Sequence, residues 1–231
     1  MRLWQKPDTQ LGFHFGVGVV GLVTVTPAFD AAPPQISCPA DIVQSADLGK
    51  CTAAVTFSPT ASDDCLVLNT ACSSPSGTAF PIGTTPDTCT VVDQANQSSS
   101  CSFSVTTTVG NKCPQANGYW KNNPNLWAVN ALNLGSVSYT KTQLIGVLNR
   151  SNTGDASVTL GKALISALLS QANGSNPVPI CGVMADANAA LDGCTVPCGI
   201  GPKTTRGQAM IGLANTLDMY NNDKLTPKCM P

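Results

Sequence analysis

The chain contains no glutamate and one histidine, His14, and only 11% of its 231 residues carry charge. Each shortage removes a class of function. Twelve Lys and Arg against thirteen Asp leave a net charge of −1. The basic residues are scattered, so no cluster is available for a nucleic-acid backbone or an anionic membrane surface. Serine and cysteine hydrolases need a histidine base, and His14 sits in the N-terminal segment. There is no HExxH, no P-loop and no dinucleotide fingerprint. Gly16-Val17-Gly18-Val19-Val20-Gly21 has the GxGxxG spacing but lacks a following helical pattern and an acidic partner. A glycosidase would need two aspartates in a recognisable context, and none stands out. The sequence therefore reads as a non-enzyme with no cofactor and no metal.

Cysteine, by contrast, is plentiful. The eleven cysteines are Cys38, Cys51, Cys65, Cys72, Cys89, Cys101, Cys113, Cys181, Cys194, Cys198 and Cys229. They are widely spaced and mostly not in CxxC pairs, which points to disulfides and an oxidising compartment. The count is odd, so at least one thiol is left over. Cys181, Cys194, Cys198 and Cys229 lack the tight ligand pairs of a zinc ribbon.

Residues 1–28 admit two readings. Arg2 and Lys6, then an apolar stretch from Leu11 to Val25, then Thr26-Pro27-Ala28 fit a signal peptide cut after Ala28. Alternatively, Phe13, Phe15, Val17 and Val19 alternate with His14, Gly16 and Gly18, a strand period. If retained, such a strand adds to the sheet edge of a neighbouring subunit. The stretch is too short and glycine-rich for a stable membrane span. Residues 29–35, with Pro33-Pro34, read as a linker.

Residues 36–110 carry short β-favouring runs. Cys101, Phe103, Val105 and Thr107 alternate with Ser102, Ser104 and Thr106, giving one apolar and one wet face. Phe57, Phe80, Val91 and Phe103 are the expected core. The suggested pairings are Cys72–Cys89, Cys51–Cys65 and Cys38–Cys101, although spacing alone leaves connectivity open. Asp63, Asp64 and Asp93 would suit calcium if their loops converged. The favoured reading makes them side-chain-capped turns.

From residue 111 to 231 the apolar spacing turns helical. Helices are expected over Thr140–Asn149, Val158–Ala172, Ile180–Leu191 and Thr204–Tyr220. Thr140, Ser157 and Thr204 or Thr205 are the expected N-caps, and Asn173-Gly174 and Asp192-Gly193 the stops. Short connections predict a small antiparallel bundle. A Cys113–Cys229 bond would close it. Tyr119, Trp120 and Trp127 are either a small core or an exposed platform for an extracellular glycan, with the core favoured.

Two resemblances follow. Ile36-Ser37-Cys38-Pro39-Ala40-Asp41-Ile42, Ala61-Ser62-Asp63-Asp64-Cys65, Phe80-Pro81-Ile82-Gly83-Thr84-Thr85 and Cys101-Ser102-Phe103-Ser104-Val105 together resemble a hyalin repeat (HYR) domain. This implies an extracellular immunoglobulin-like antiparallel β-sandwich. Gly118-Tyr119-Trp120-Lys121-Asn122, with Leu160-Gly161-Lys162-Ala163-Leu164-Ile165 downstream, resembles the GYWKN-type helical C-terminal domain of secreted bacterial proteins. That family brings location rather than chemistry. The expected protein is multidomain, β then α, and is secreted or on the cell surface. It works by structural or adhesive contact with copies of itself, with other surface proteins, or with glycan, possessing the means to build a filament if its N-terminal strand is retained.

Overall fold

The computed structural model describes residues 30–152 and 154–225. Strands come first and helices follow. Two short antiparallel pairs join β1 (Gln35–Ser37) to β4 (Thr60–Ser62) and β3 (Thr52–Ala54) to β6 (Ala79–Pro81). A four-stranded sheet has the order β2-β8-β7-β5, from β2 (Ile42–Ser45), β5 (Val67–Cys72), β7 (Gly83–Asp93) and β8 (Ser98–Thr108). Alternation explains the long strands. Phe103, Val105 and Thr107 of β8 are buried, as are Asp87, Cys89, Val91 and Asp93 of β7. Outward-facing hydroxyls pair across these strands, Thr88 with Ser102 at 3.0 Å and Thr90 with Ser100 at 2.9 Å. Such cross-strand pairs stabilise a sheet by about 0.2–1 kcal/mol each.

The described chain forms two compact units. The first comprises residues up to Ile42, Val55–Thr78 and Pro86–Val105. Its buried side chains include Val55, Cys89, Val91, Phe103 and Val105. Phe57 is half-buried and meets Phe103 edge-on at 4.9 Å between centroids.

The second unit comprises Val43–Ala54, Ala79–Thr85 and everything from Thr106 onward. It thus takes in three segments, 43–54, 79–85 and 106–110, that the sequence reading placed with the strand-rich domain. Its helices are α1 (Asn117–Asn122), α2 (Lys141–Asn149), α3 (Ala156–Ala172), α4 (Cys181–Ala190) and α5 (Thr205–Asn221). Thr140 and Gln143 form a reciprocal capping box at α2, and Thr204 caps α5. At α3 the cap is Asp155, two residues before the expected Ser157. α3 is buried along most of its length, because Leu160, Leu164, Ile165, Leu168 and Leu169 surround it with apolar surface.

This unit is not a pure bundle. β9 (Ala131–Leu134) and β10 (Val137–Thr140) form a hairpin with Leu134 opposite Val137. Leu132, Leu134 and Tyr139 point into the core. The turn needs Gly135, whose φ is +61°. Gly135 N–H donates to Asn188 Oδ1 at 3.0 Å, and Ser136 N–H to Asp192 Oδ1 at 3.1 Å. Among the described residues no helix is long and apolar enough to cross a membrane.

Candidate functional site

The period of β7 turns Asp93 inward, where it has no solvent exposure. A carboxylate at a core-facing position is costly unless something compensates it. Its Oδ1 accepts the Gln97 N–H at 2.8 Å, and the backbones of Asp93 and Gln97 close the turn into β8. Asn96 takes a φ of +65° there, a conformation asparagine tolerates. The capped-turn reading of Asp93 therefore holds for Oδ1. It leaves Oδ2, which is buried and has no hydrogen-bond partner.

Asp30 lies nearby: its Oδ1 accepts the Ala32 N–H at 3.3 Å, and its carboxylate accepts the Cys65 thiol. Its carbonyl accepts the Gln97 side-chain amide at 3.2 Å, which ties residue 30 to the β7–β8 turn. Asp63 approaches from the loop after β4 and accepts the Cys65 N–H at 3.3 Å. One carboxylate oxygen from each of Asp30, Asp63 and Asp93 lies within 4.8 Å of the others. Asp30, Asp64 and the Cys65 sulfur form a second such group. Burial, then the charges of Asp30 and Asp64, a hydrogen bond to the Asp30 carboxylate and the charge of Asp63, push the Cys65 thiol up from its ordinary value of 9.0. The sequence reading singled out Asp63, Asp64 and Asp93; it missed Asp30, because a residue in a linker carries no spacing signal.

The cysteines correct one expected pairing. Cys38 bonds Cys101 and Cys72 bonds Cys89, as expected. Cys51 bonds Cys181 and not Cys65, and Cys65 is free. Within the second unit, Cys51 and Cys181 fix the turn 47–50 against the helices. Gln171 of α3 accepts the Gly49 N–H at 2.7 Å and donates to the carbonyls of Asp47 and Lys50, each at 3.0 Å. Cys194 bonds Cys198. Cys113 is disulfide-bonded. Cys229 lies outside the described residues, as do Phe13, Phe15, Val17 and Val19.

The aromatic platform is also corrected. Trp120 and Trp127 are 2% and 7% exposed and belong to the core of the second unit. The indole N–H of Trp120 donates to Ser170 Oγ at 3.2 Å, and that of Trp127 to the Trp120 carbonyl at 3.0 Å. Buried indoles need such partners. Tyr119 alone of the three is exposed, at the rim of a cleft of about 630 Å³ that Lys112, Gln115 and Asn173 also line. The three rings do not share a surface for stacking on sugar.

A strand-rich unit stapled by Cys38–Cys101 and Cys72–Cys89, with a buried carboxylate at Asp93, is a disulfide-bonded module that fits an oxidising, extracellular setting. Residues 29–107 match the HYR domain, a repeat associated with cell adhesion. The match leaves residues 1–28 and 108–231 unassigned. No curated protein and no solved structure matches the chain. The disulfides and the matched domain fit an extracellular or surface location.

Proposed function

We propose that this is an extracellular structural or adhesive protein that acts through surface contact and carries out no bond chemistry. Its strand-rich part is an immunoglobulin-like β-sandwich of the HYR type. Its helical part is the GYWKN-type domain of secreted bacterial proteins. The match of residues 29–107 to the HYR domain carries the reading. Sheet order supports the assembly mode: among the described residues, β5 stands at one edge of the four-stranded sheet and pairs with β7 alone. An open edge offers unpaired backbone groups to an incoming strand. Residues 1–28 of another copy, with Phe13, Phe15, Val17 and Val19 on one face, are the proposed donor.

Sizing and intact mass of the secreted protein test this, with and without reductant, beside a variant lacking residues 1–28. The expected result is high-mass assembly that retains residues 1–28 and is lost in the truncated form. A monomer that begins near Phe29 would sink the strand-addition mechanism.

A further inference from the structure

We propose that Asp30, Asp63 and Asp93 form a calcium site at one end of the first unit. Three observations converge. Oxygens of the three carboxylates lie within 4.8 Å of one another, although they come from separate segments of chain. Asp93 is wholly buried, and its Oδ2 has no donor. No ion pair neutralises any of them among the described residues, where the salt bridge present joins Lys50 to Asp47. Turn formation explains Oδ1 of Asp93 and does not explain its Oδ2. A buried carboxylate with two more beside it is costly unless a cation sits between them.

The donor set selects the cation. All three ligands are hard carboxylate oxygens, which suit calcium, and calcium accepts irregular geometry with backbone carbonyls and water filling the remaining positions. Magnesium demands a near-octahedral shell and is slow to give up its waters. A soft ion would use the other group, Asp30 and Asp64 with the Cys65 thiolate. Calcium at Asp30, Asp63 and Asp93 would pin the chain's entry into the module to the β7–β8 turn and to the loop after β4.

The test uses the full chain, stripped with chelator and titrated with calcium chloride by calorimetry and thermal melting. One calcium per chain is expected, with Kd about 10⁻⁴–10⁻³ M, the range of extracellular modules. The melting temperature should rise with calcium, because the ion binds the folded form. Asp93→Asn keeps the Oδ1 acceptor for Gln97 while removing the charge. It should weaken calcium binding at least tenfold, yet melt above the wild type in chelator, where repulsion is relieved. Asp63→Asn, at a half-exposed position, should lose calcium binding in the same way if Asp93→Asn does not fold. A melt indifferent to calcium overturns the proposal, as does a calcium shift that survives both substitutions. Zinc bound in place of calcium, and lost in Cys65→Ser, overturns it in favour of the soft group.

Discussion

At the scale of single residues, the sequence pattern revealed direction better than partnership. Alternation in Cys101–Thr107 identified the buried face of β8, and it placed Phe103 correctly. Phe80 and Val91 are buried as expected, while Phe57 is only half-buried. Cys65 shows the limit. Its distance along the chain from Cys51 suits a short disulfide loop, but only the fold decides which sulfur comes within about 2 Å of which. Trp120 and Trp127 went to the core because a chain poor in aromatics has few other large side chains to fill it. One residue-scale prediction concerns Gly135. A Cβ there would lie 2.6 Å from the Leu191 carbonyl oxygen, and φ is +61°. Gly135→Ala should cost about 1–3 kcal/mol through backbone strain, with the clash adding to it. Gly118→Ala, where nothing lies within 4 Å, is the control and should be neutral or slightly stabilising. Denaturant melts of the two variants check this; equal stability would remove the special role of Gly135.

At the scale of elements, the helices were the most legible part. Their apolar stripes and caps are local signals, so α2, α3, α4 and α5 begin and end within a few residues of expectation. The hairpin of β9 and β10 was not legible. Leu132, Leu134 and Tyr139 do alternate with small or polar neighbours, but each strand is four residues long, too short to stand out beside helical patterns. Neither was the attachment of residues 43–54 to the second unit. It depends on a disulfide of sequence separation 130 and on the three hydrogen bonds of Gln171, which no window along the chain can reveal. Replacing both Cys51 and Cys181 with serine should lower stability by about 2–4 kcal/mol, the usual effect of losing a loop-closing disulfide. Gln171→Ala in that background should loosen the 47–50 turn further, because three backbone groups lose their partner. Amide exchange at residues 47–50 measures this. Protection unchanged in both variants would show that the turn is held by packing alone.

At the scale of the whole molecule, acid should weaken the second unit through Asp155 and Asp192. Burial opposes the charge of Asp155, but the Ser157 hydroxyl and the backbone N–H groups of Gly199, Ser157 and Ile200 outweigh it and hold the carboxyl below 3.8. The Ser136 hydroxyl leads the contacts that lower Asp192 against a smaller opposing effect of burial, aided by the N–H groups of Gly193 and Ser136. A carboxylate with a lowered folded pKa stabilises fully above its unfolded value and less as pH falls through the folded one. Stability should therefore be flat above about pH 5 and decline below the ordinary carboxylate range. Asp155→Asn should flatten that decline, as melting curves against pH would show; an equally steep acid limb in the variant would assign it elsewhere. The order of strands and then helices was readable from the switch in hydrophobic period near residue 111. The calcium candidate was half readable, since Asp63, Asp64 and Asp93 were visible while the inward turn of Asp93 and the approach of Asp30 were not. The Cys51–Cys181 bond also sets a timetable. As the chain emerges from the ribosome or an export pore, Cys51 appears long before its partner. Cys65, free in the finished protein, emerges soon after it and is the nearer competitor. Completion of the second unit thus waits on late-arriving chain, and early oxidation would trap the wrong pair.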